Sequence, residues 1–194
     1  TDMSGMFSGC SGLTSLDLSH LDTRNVTNMS SMFSGCSGLT ALDLSPLNTS
    51  KVSNMSSMFC DCSGLTSLDL ASLDTGKVTN MSGMFRGCSS LTNLDFSLLG
   101  TQKVTDMGYM FCECSSLTAL NLTYMNTQKV TEMAWIFKDC SKLINLSLGD
   151  KFTFVGSNYQ LPSGTWYSSD GTAYTSDGTT CTIPNNKADT YTRR

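Results

Sequence analysis

Apolar residues fall in one order, Met-x-x-Met-Phe-x-x-Cys-x-x-Leu-x-x-Leu-x-Leu, every 26 residues from Met3 to Leu148, with no insertion or deletion. A period in the 20s defines a solenoid, because one repeat cannot bury its own apolar face and does so only against its neighbours. In the second copy the apolar residues begin Met29, Met32, Phe33 and Cys36, and the same residues recur in all six copies apart from Ile136 in the last. Their spacing of i, i+3, i+4 and i+7 predicts the apolar stripe of a short helix. A polar residue stands before each first Met, at Asp2, Asn28, Asn54, Asn80, Asp106 and Glu132. Such residues can accept bonds from the free amides of a first helical turn. Gly at 9, 35 and 87, with Ser two positions further on, is read as ending the helix within two turns.

The second half of each copy, as in Leu65-Thr66-Ser67-Leu68-Asp69-Leu70, alternates with the period of a strand. Leu68 and Leu70 are expected to point inward, Ser67 and Asp69 outward. One such strand per repeat, stacked in parallel at about 4.8 Å, would build a long sheet. A third segment, Leu47-Asn48-Thr49-Ser50-Lys51-Val52, turns the chain through an Asx/Thr corner and returns it by an inward Val. That corner carries a Thr ladder (23, 49, 75, 101, 127), read as turn formation rather than an ice-binding face, and a Lys ladder (51, 77, 103, 129), read as a solvated edge.

The motif Met-Phe-x-x-Cys-x-x-Leu-x-x-Leu-x-Leu, preceded by Val-Thr-Asn-Met, resembles the leucine-rich repeat proteins and, among them, the BspA-like bacterial surface proteins. Residues 1 to about 150 carry the resemblance. Many members of that family have Ala-Phe in place of Met-Phe and a shorter period. The resemblance implies a secreted or wall-attached extracellular protein, often active in adhesion to host surfaces, mucus or other cells, and it brings no catalytic residues. Taken together, the reading is an α/β solenoid of six 26-residue coils, with a parallel β-sheet on the concave face, short helices on the convex face and a small C-terminal β cap. Residues 1–150 would be the solenoid and 151–194 the cap or a small following module.

Beyond Leu148 the pattern fails, with Lys151 and Gly156 where earlier copies hold Leu and Val. Gly164 to Thr175 reads as a hairpin of two aromatic strands about Asp170-Gly171, and Phe152 and Phe154 as a degenerate final strand. Thr1 lies one period before Thr27, inside a repeat, so the chain looks like a piece of a longer polypeptide with export signal and any anchor elsewhere.

Charge narrows the function. The formal net charge is −4, with acidic and basic residues interspersed, so no basic stripe exists for nucleic acid. No apolar run approaches the roughly 18 residues of a membrane span. Nine cysteines invite a disulfide or metal reading, but six occupy the repeat position beside Phe and are read as buried free thiols. Cys60 and Cys112 depart from the repeat and stand two coils apart, too far to bridge each other. So many thiols in an exported protein point to an anaerobic habitat. The single His20 has no catalytic partner in the pattern, and no phosphate loop appears, so no enzymatic activity, cofactor or metal is expected.

The candidate binding surface is the outward ladder Asp17, Asp43, Asp69, Asp95 and Asn121. Neighbouring carboxylates at about 4.8 Å repel by about 0.9 kcal/mol even in water. They are either compensated by local hydroxyls and amides or form a strip for sugar hydroxyls, a basic ligand or Ca²⁺. Trp166, Tyr167 and Tyr174 could stack on sugars but are read as packing the cap. The expected function is recognition of a host or cell-surface protein or mucosal glycan, the alternative a structural spacer without a ligand.

Overall fold

A computed structural model describes residues 1–194. The coils stack as the period requires, but the segment expected to be helical is not a helix, and the chain contains none. Within Met29–Cys36 alternate amides take different partners. Met29, Ser31, Phe33 and Gly35 donate to Asn54, Ser56, Met58 and Cys60 carbonyls of the next coil at 3.0, 2.8, 2.9 and 2.7 Å. Met32, Ser34 and Cys36 close four-residue turns onto Met29, Ser31 and Phe33. A helix would direct every amide along its own axis to the residue four before and leave nothing to join the coils.

What breaks the helix is backbone handedness. The third residue of alternate turns has positive φ, as at Ser31 (55°), Gly35 (73°), Gly83 (60°) and Gly87 (71°). That is the position where type II turns require it. Gly9, Gly35 and Gly87, read as helix stops, are thus the second of two positive-φ positions in the segment, four residues after Gly5, Ser31 and Gly83. The polar residues before each Met do bond as caps, but to turns: Asn28 Oδ1 accepts the Ser30 amide and Asn54 Oδ1 the Ser56 amide. Parallel bridges join Asp2, Asn28, Asn54, Asn80, Asp106 and Glu132 in one line.

The apolar stripe is buried all the same. Met29, Met32, Phe33, Cys36, Leu39, Leu42, Leu44, Leu47 and Val52 form one coil's contribution to the core. Each such side chain contributes about 1.5–3 kcal/mol of transfer free energy, opposed by chain entropy. Phe7, Phe33, Phe59, Phe85, Phe111 and Phe137 stack near-parallel along the axis, with centroids 5.6–6.2 Å apart. Phe96, where other coils have Leu, fits edge-on between Phe85 and Phe111.

Regular strands are fewer than the alternation predicts. They occur in the last three coils, β1 (Asn93–Asp95), β2 (Ala119–Leu122) and β3 (Asn145–Leu148), paired in parallel with Leu94, Leu120 and Leu146 in register. The matching residues of the first three coils keep the in-out alternation of side chains without forming strands. Two sequence differences coincide with that boundary. Asp17, Asp43, Asp69 and Asp95 place like charges on adjacent coils, whereas the sheet carries Asp95, Asn121 and Ser147. Like charges directly opposite disfavour strand pairing. Gly38 and Gly64 also let the early coils close in, since a Cβ there would meet the Ser11 and Ser37 carbonyl oxygens at 2.6 and 2.3 Å. Later coils have Ser90 and Ser116 at the same position.

The tail continues this sheet. Strands β4 (Gly164–Tyr167) and β5 (Ala173–Ser176) form the hairpin about Asp170-Gly171, and β6 (Asp189–Arg193) returns antiparallel to lie between β3 and β4. The strand order is β1-β2-β3-β6-β4-β5. Phe152 and Phe154 are buried but do not form the degenerate strand expected of them. Their segment is a shortened seventh coil, whose Asn158 and Tyr159 carbonyls accept the Trp135 and Phe137 amides. Trp166, Tyr191, Leu161 and Ile183 share the solenoid's core and cover its last turn.

Between coils runs a second set of bonds through buried threonines. Thr49 Oγ1 donates to the Asp74 carbonyl at 3.0 Å and accepts the Asp74 amide at 2.8 Å. Thr23 does the same with Asn48, and Thr101 with Asn126. These hydroxyls are about 2% exposed, so the ladder joins coils and presents no face to solvent. Thr49→Val keeps the shape but orphans both Asp74 groups. It is expected to cost about 2–3 kcal/mol and lower Tm by roughly 4–12 °C. Thr66→Val, whose exposed hydroxyl only grazes the Thr40 carbonyl at 3.4 Å, should leave Tm within about 2 °C in the same melt.

Candidate functional site

The predicted ladder is exposed along its length. Each member accepts the amide two residues on: Asp17 from Ser19, Asp43 from Ser45, Asp69 from Ala71, Asp95 from Ser97 and Asn121 from Thr123, at 2.8–3.1 Å. These bonds fasten the corner where the chain leaves the Leu-x-Leu segment. The Ser19 and Ser45 amides hold the Asp17 and Asp43 carboxyls below their usual range. Between Asp69 and Asp95, where strand pairing is absent, lies a small cavity of about 60 Å³ lined by Leu68, Leu70 and Leu98. No three His, Cys, Asp or Glu side chains converge as a metal site would require.

The repeat thiols have a structural task. Cys36, Cys62, Cys88, Cys114 and Cys140 donate to the Phe7, Phe33, Phe59, Phe85 and Phe111 carbonyls of the preceding coil at 3.0–3.2 Å. All nine cysteines are free. Burial pushes Cys62 and Cys114 up to about 12, so they stay protonated donors at any physiological pH. Burial and the neighbouring Asp61 carboxylate push Cys60 up to about 11.

A different surface departs from the repeat more sharply. At the first positive-φ position of the turn segment, four coils have Gly5, Ser31, Ser57 and Gly83, and the next two have Tyr109 and Trp135. Both keep the left-handed backbone, at φ 59° each. That conformation costs roughly 1–2 kcal/mol for a residue with a Cβ. Three residues on, the small Ser8 and Ser34 give way to Cys60, Arg86, Cys112 and Lys138. The small residues of coils three and four thus end against an aromatic step. A groove of about 320 Å³ lies there, lined by Ser57, Cys60, Ser82, Gly83, Arg86, Tyr109 and Trp135.

Within the step Tyr109 and Trp135 meet edge to face at 4.9 Å. The Arg86 guanidinium lies 5.8 Å from the Tyr109 ring and 3.3 Å from Glu113, and Lys138 lies 4.9 Å from the Trp135 ring. The Trp135 indole N–H is buried without an acceptor in the protein. The helical reading hid these residues, because position 109 on a helix would be one more solvated side chain. Gly5 and Gly83 in the same register were the available signal for a backbone that a Tyr or Trp occupies only under strain.

The fold and its bonding define a repeat solenoid of stacked turns. The chain belongs to the family described as "Mycoplasma protein of unknown function, DUF285", which it matches over residues 1–117 and again over 64–155. No curated protein and no solved structure matches it.

Two outcomes follow for the ladder and the thiols. Replacing Asp17, Asp43, Asp69 and Asp95 by Asn removes four negative charges, taking −4 to 0, and keeps the corner bond that Asn121 already makes. Hydrogen exchange should then slow at Leu42–Leu44 as pairing extends. Stabilisation by Asp17 and Asp43 is full above about pH 4 and lost as pH falls through their lowered folded-state values, so the variant should lose less stability in acid. For the thiols, a neutral-pH titration should find the repeat cysteines of coils two to six unreactive in the native protein and all nine reactive after denaturation without reductant. A count below nine would contradict free thiols.

Proposed function

We propose that this chain is a non-enzymatic recognition domain of an exported, surface-displayed protein, acting in adhesion to a host or cell-surface protein or glycan. The resemblance of its Met-Phe-x-x-Cys repeat to BspA-like surface proteins supports this reading, and membership of a family without assigned function is compatible with it. One observation carries it: inward positions hold their residue type through six coils, while the turn face changes abruptly from Gly and Ser to Tyr109 and Trp135. Core demand explains the first and cannot explain the second, because four coils stack without aromatics there.

Two outward surfaces are candidates, the Asp17 to Asn121 ladder and the aromatic step. The step is favoured because each of the five ladder residues already has a structural task, one side-chain oxygen being tied into a corner bond. The uniformity of that ladder supports the second reading, a structural spacer holding another domain away from the cell. Surface-plasmon-resonance binding to mucin and matrix proteins separates the two. The recognition reading expects saturable binding that survives the four Asp→Asn changes. Binding abolished in the folded Asn variant would move the site to the ladder, and no saturable binding to any surface would leave the spacer.

A further inference from the structure

We infer that the aromatic step is a binding site for neutral pyranose saccharides, with Tyr109 as the stacking wall, Ser57, Ser82 and Gly83 as the floor and the Arg86–Glu113 pair as the hydroxyl-reading edge. The inference rests on the recognition reading above and gives it a ligand and a place. Three independent features meet at this groove. Its aromatic residues occupy a backbone conformation that Gly and Ser fill elsewhere, and strain of this kind is retained where the surrounding structure holds a side chain for use. The rings do not serve the core, since both remain half-buried beside a stack that is complete without them. Beside the groove the Trp135 indole N–H is buried without a hydrogen-bond partner, the one side-chain polar group so left in the protein.

The lining chooses the ligand class. A pyranose has one face of C–H groups and a rim of hydroxyls that both donate and accept. Tyr and Trp offer a matching amphipathic surface, apolar across the ring and polar at one end. Arg86 and Glu113 stand 3.3 Å apart and both about 45% exposed, so a donor and an acceptor lie side by side for a pair of adjacent hydroxyls. The Ser57 and Ser82 hydroxyls extend that set across the floor. A neutral sugar is the better fit than an acidic one, because the one cation lining the groove, Arg86, is already paired with Glu113. Gly83 keeps the floor low, and a side chain there would meet Ser57 Oγ, as its Cβ would lie 3.2 Å away at φ +60°.

The repeat itself supplies the test variant. Tyr109→Gly with Trp135→Ser restores what the first four coils carry at this position, so the variant should fold with an unchanged far-UV spectrum. Saturation-transfer NMR and titration with N-acetyllactosamine, lactose and N-acetylglucosamine should find saturable binding to the wild type, at least a tenfold weaker response in the variant, and wild-type binding in the four-Asp→Asn protein. Mucin capture should fall in parallel after glycan release. Binding that persists in the Tyr109→Gly/Trp135→Ser protein, mucin capture that survives glycan release, or preference for sialylated or sulfated probes would overturn the inference while leaving recognition standing. Failure of every neutral probe would overturn it too, and mucin or matrix binding in the same experiment then decides whether recognition falls with it.

Discussion

Everything in this molecule depends on alternate amides of the turn segment reaching across to the next coil. A stacked coil must satisfy its backbone polar groups, because burial without a partner costs about 1–3 kcal/mol per group. Here Met29, Ser31, Phe33 and Gly35 point along the solenoid axis while the residues between them close local turns. The arrangement forces positive φ at every fourth residue, a position that Gly and Ser fill in the early coils and that Asp61, Tyr109, Glu113, Trp135 and Asp139 fill in others. It also brings successive Phe rings into one continuous stack. The buried Thr hydroxyls and Cys thiols extend the same logic, each joining a coil to its neighbour: Thr49 pairs the Asp74 carbonyl, and Cys62 adds a second donor to the Phe33 carbonyl that the Cys36 amide already reaches.

Much of this was legible in the sequence, because burial follows type and period whatever the backbone does. Met29, Met32, Phe33 and Cys36 are all inside, as their spacing predicts for a helix. The backbone itself was misread, since i, i+3, i+4, i+7 is also the spacing of overlapping turns, and only the recurrent Gly at 5, 9, 35, 83 and 87 distinguishes them. The strands were overcounted for a related reason. Alternation of Leu and Asp fixes which side chains face inward, but pairing depends on what stands opposite, and Asp17, Asp43 and Asp69 stand opposite one another. The hairpin about Asp170-Gly171 formed as read, because its turn chemistry is local. The return of β6 to the edge of β3 is a long-range choice that no local signal announces.

For the candidate site the lesson runs the other way. The ladder was visible because it repeats, and its repetition is what a structural corner produces. Tyr109 and Trp135 were visible only as exceptions, and their meaning needed the conformation of the residues they replace. In a repeat protein the architecture accounts for whatever recurs, so a side chain that departs from the pattern at an energetic cost is where a specific role is to be sought.

The most direct measurement of the central claim is scalar coupling across hydrogen bonds in an isotopically labelled sample. The account predicts coupling from the Phe33 amide nitrogen to the Met58 carbonyl carbon, and from Met29 to Asn54, through bonds of 2.9 and 3.0 Å between coils. Coupling from the Phe33 amide to the Met29 carbonyl, four residues back in the same coil, would mean a helix and would contradict it.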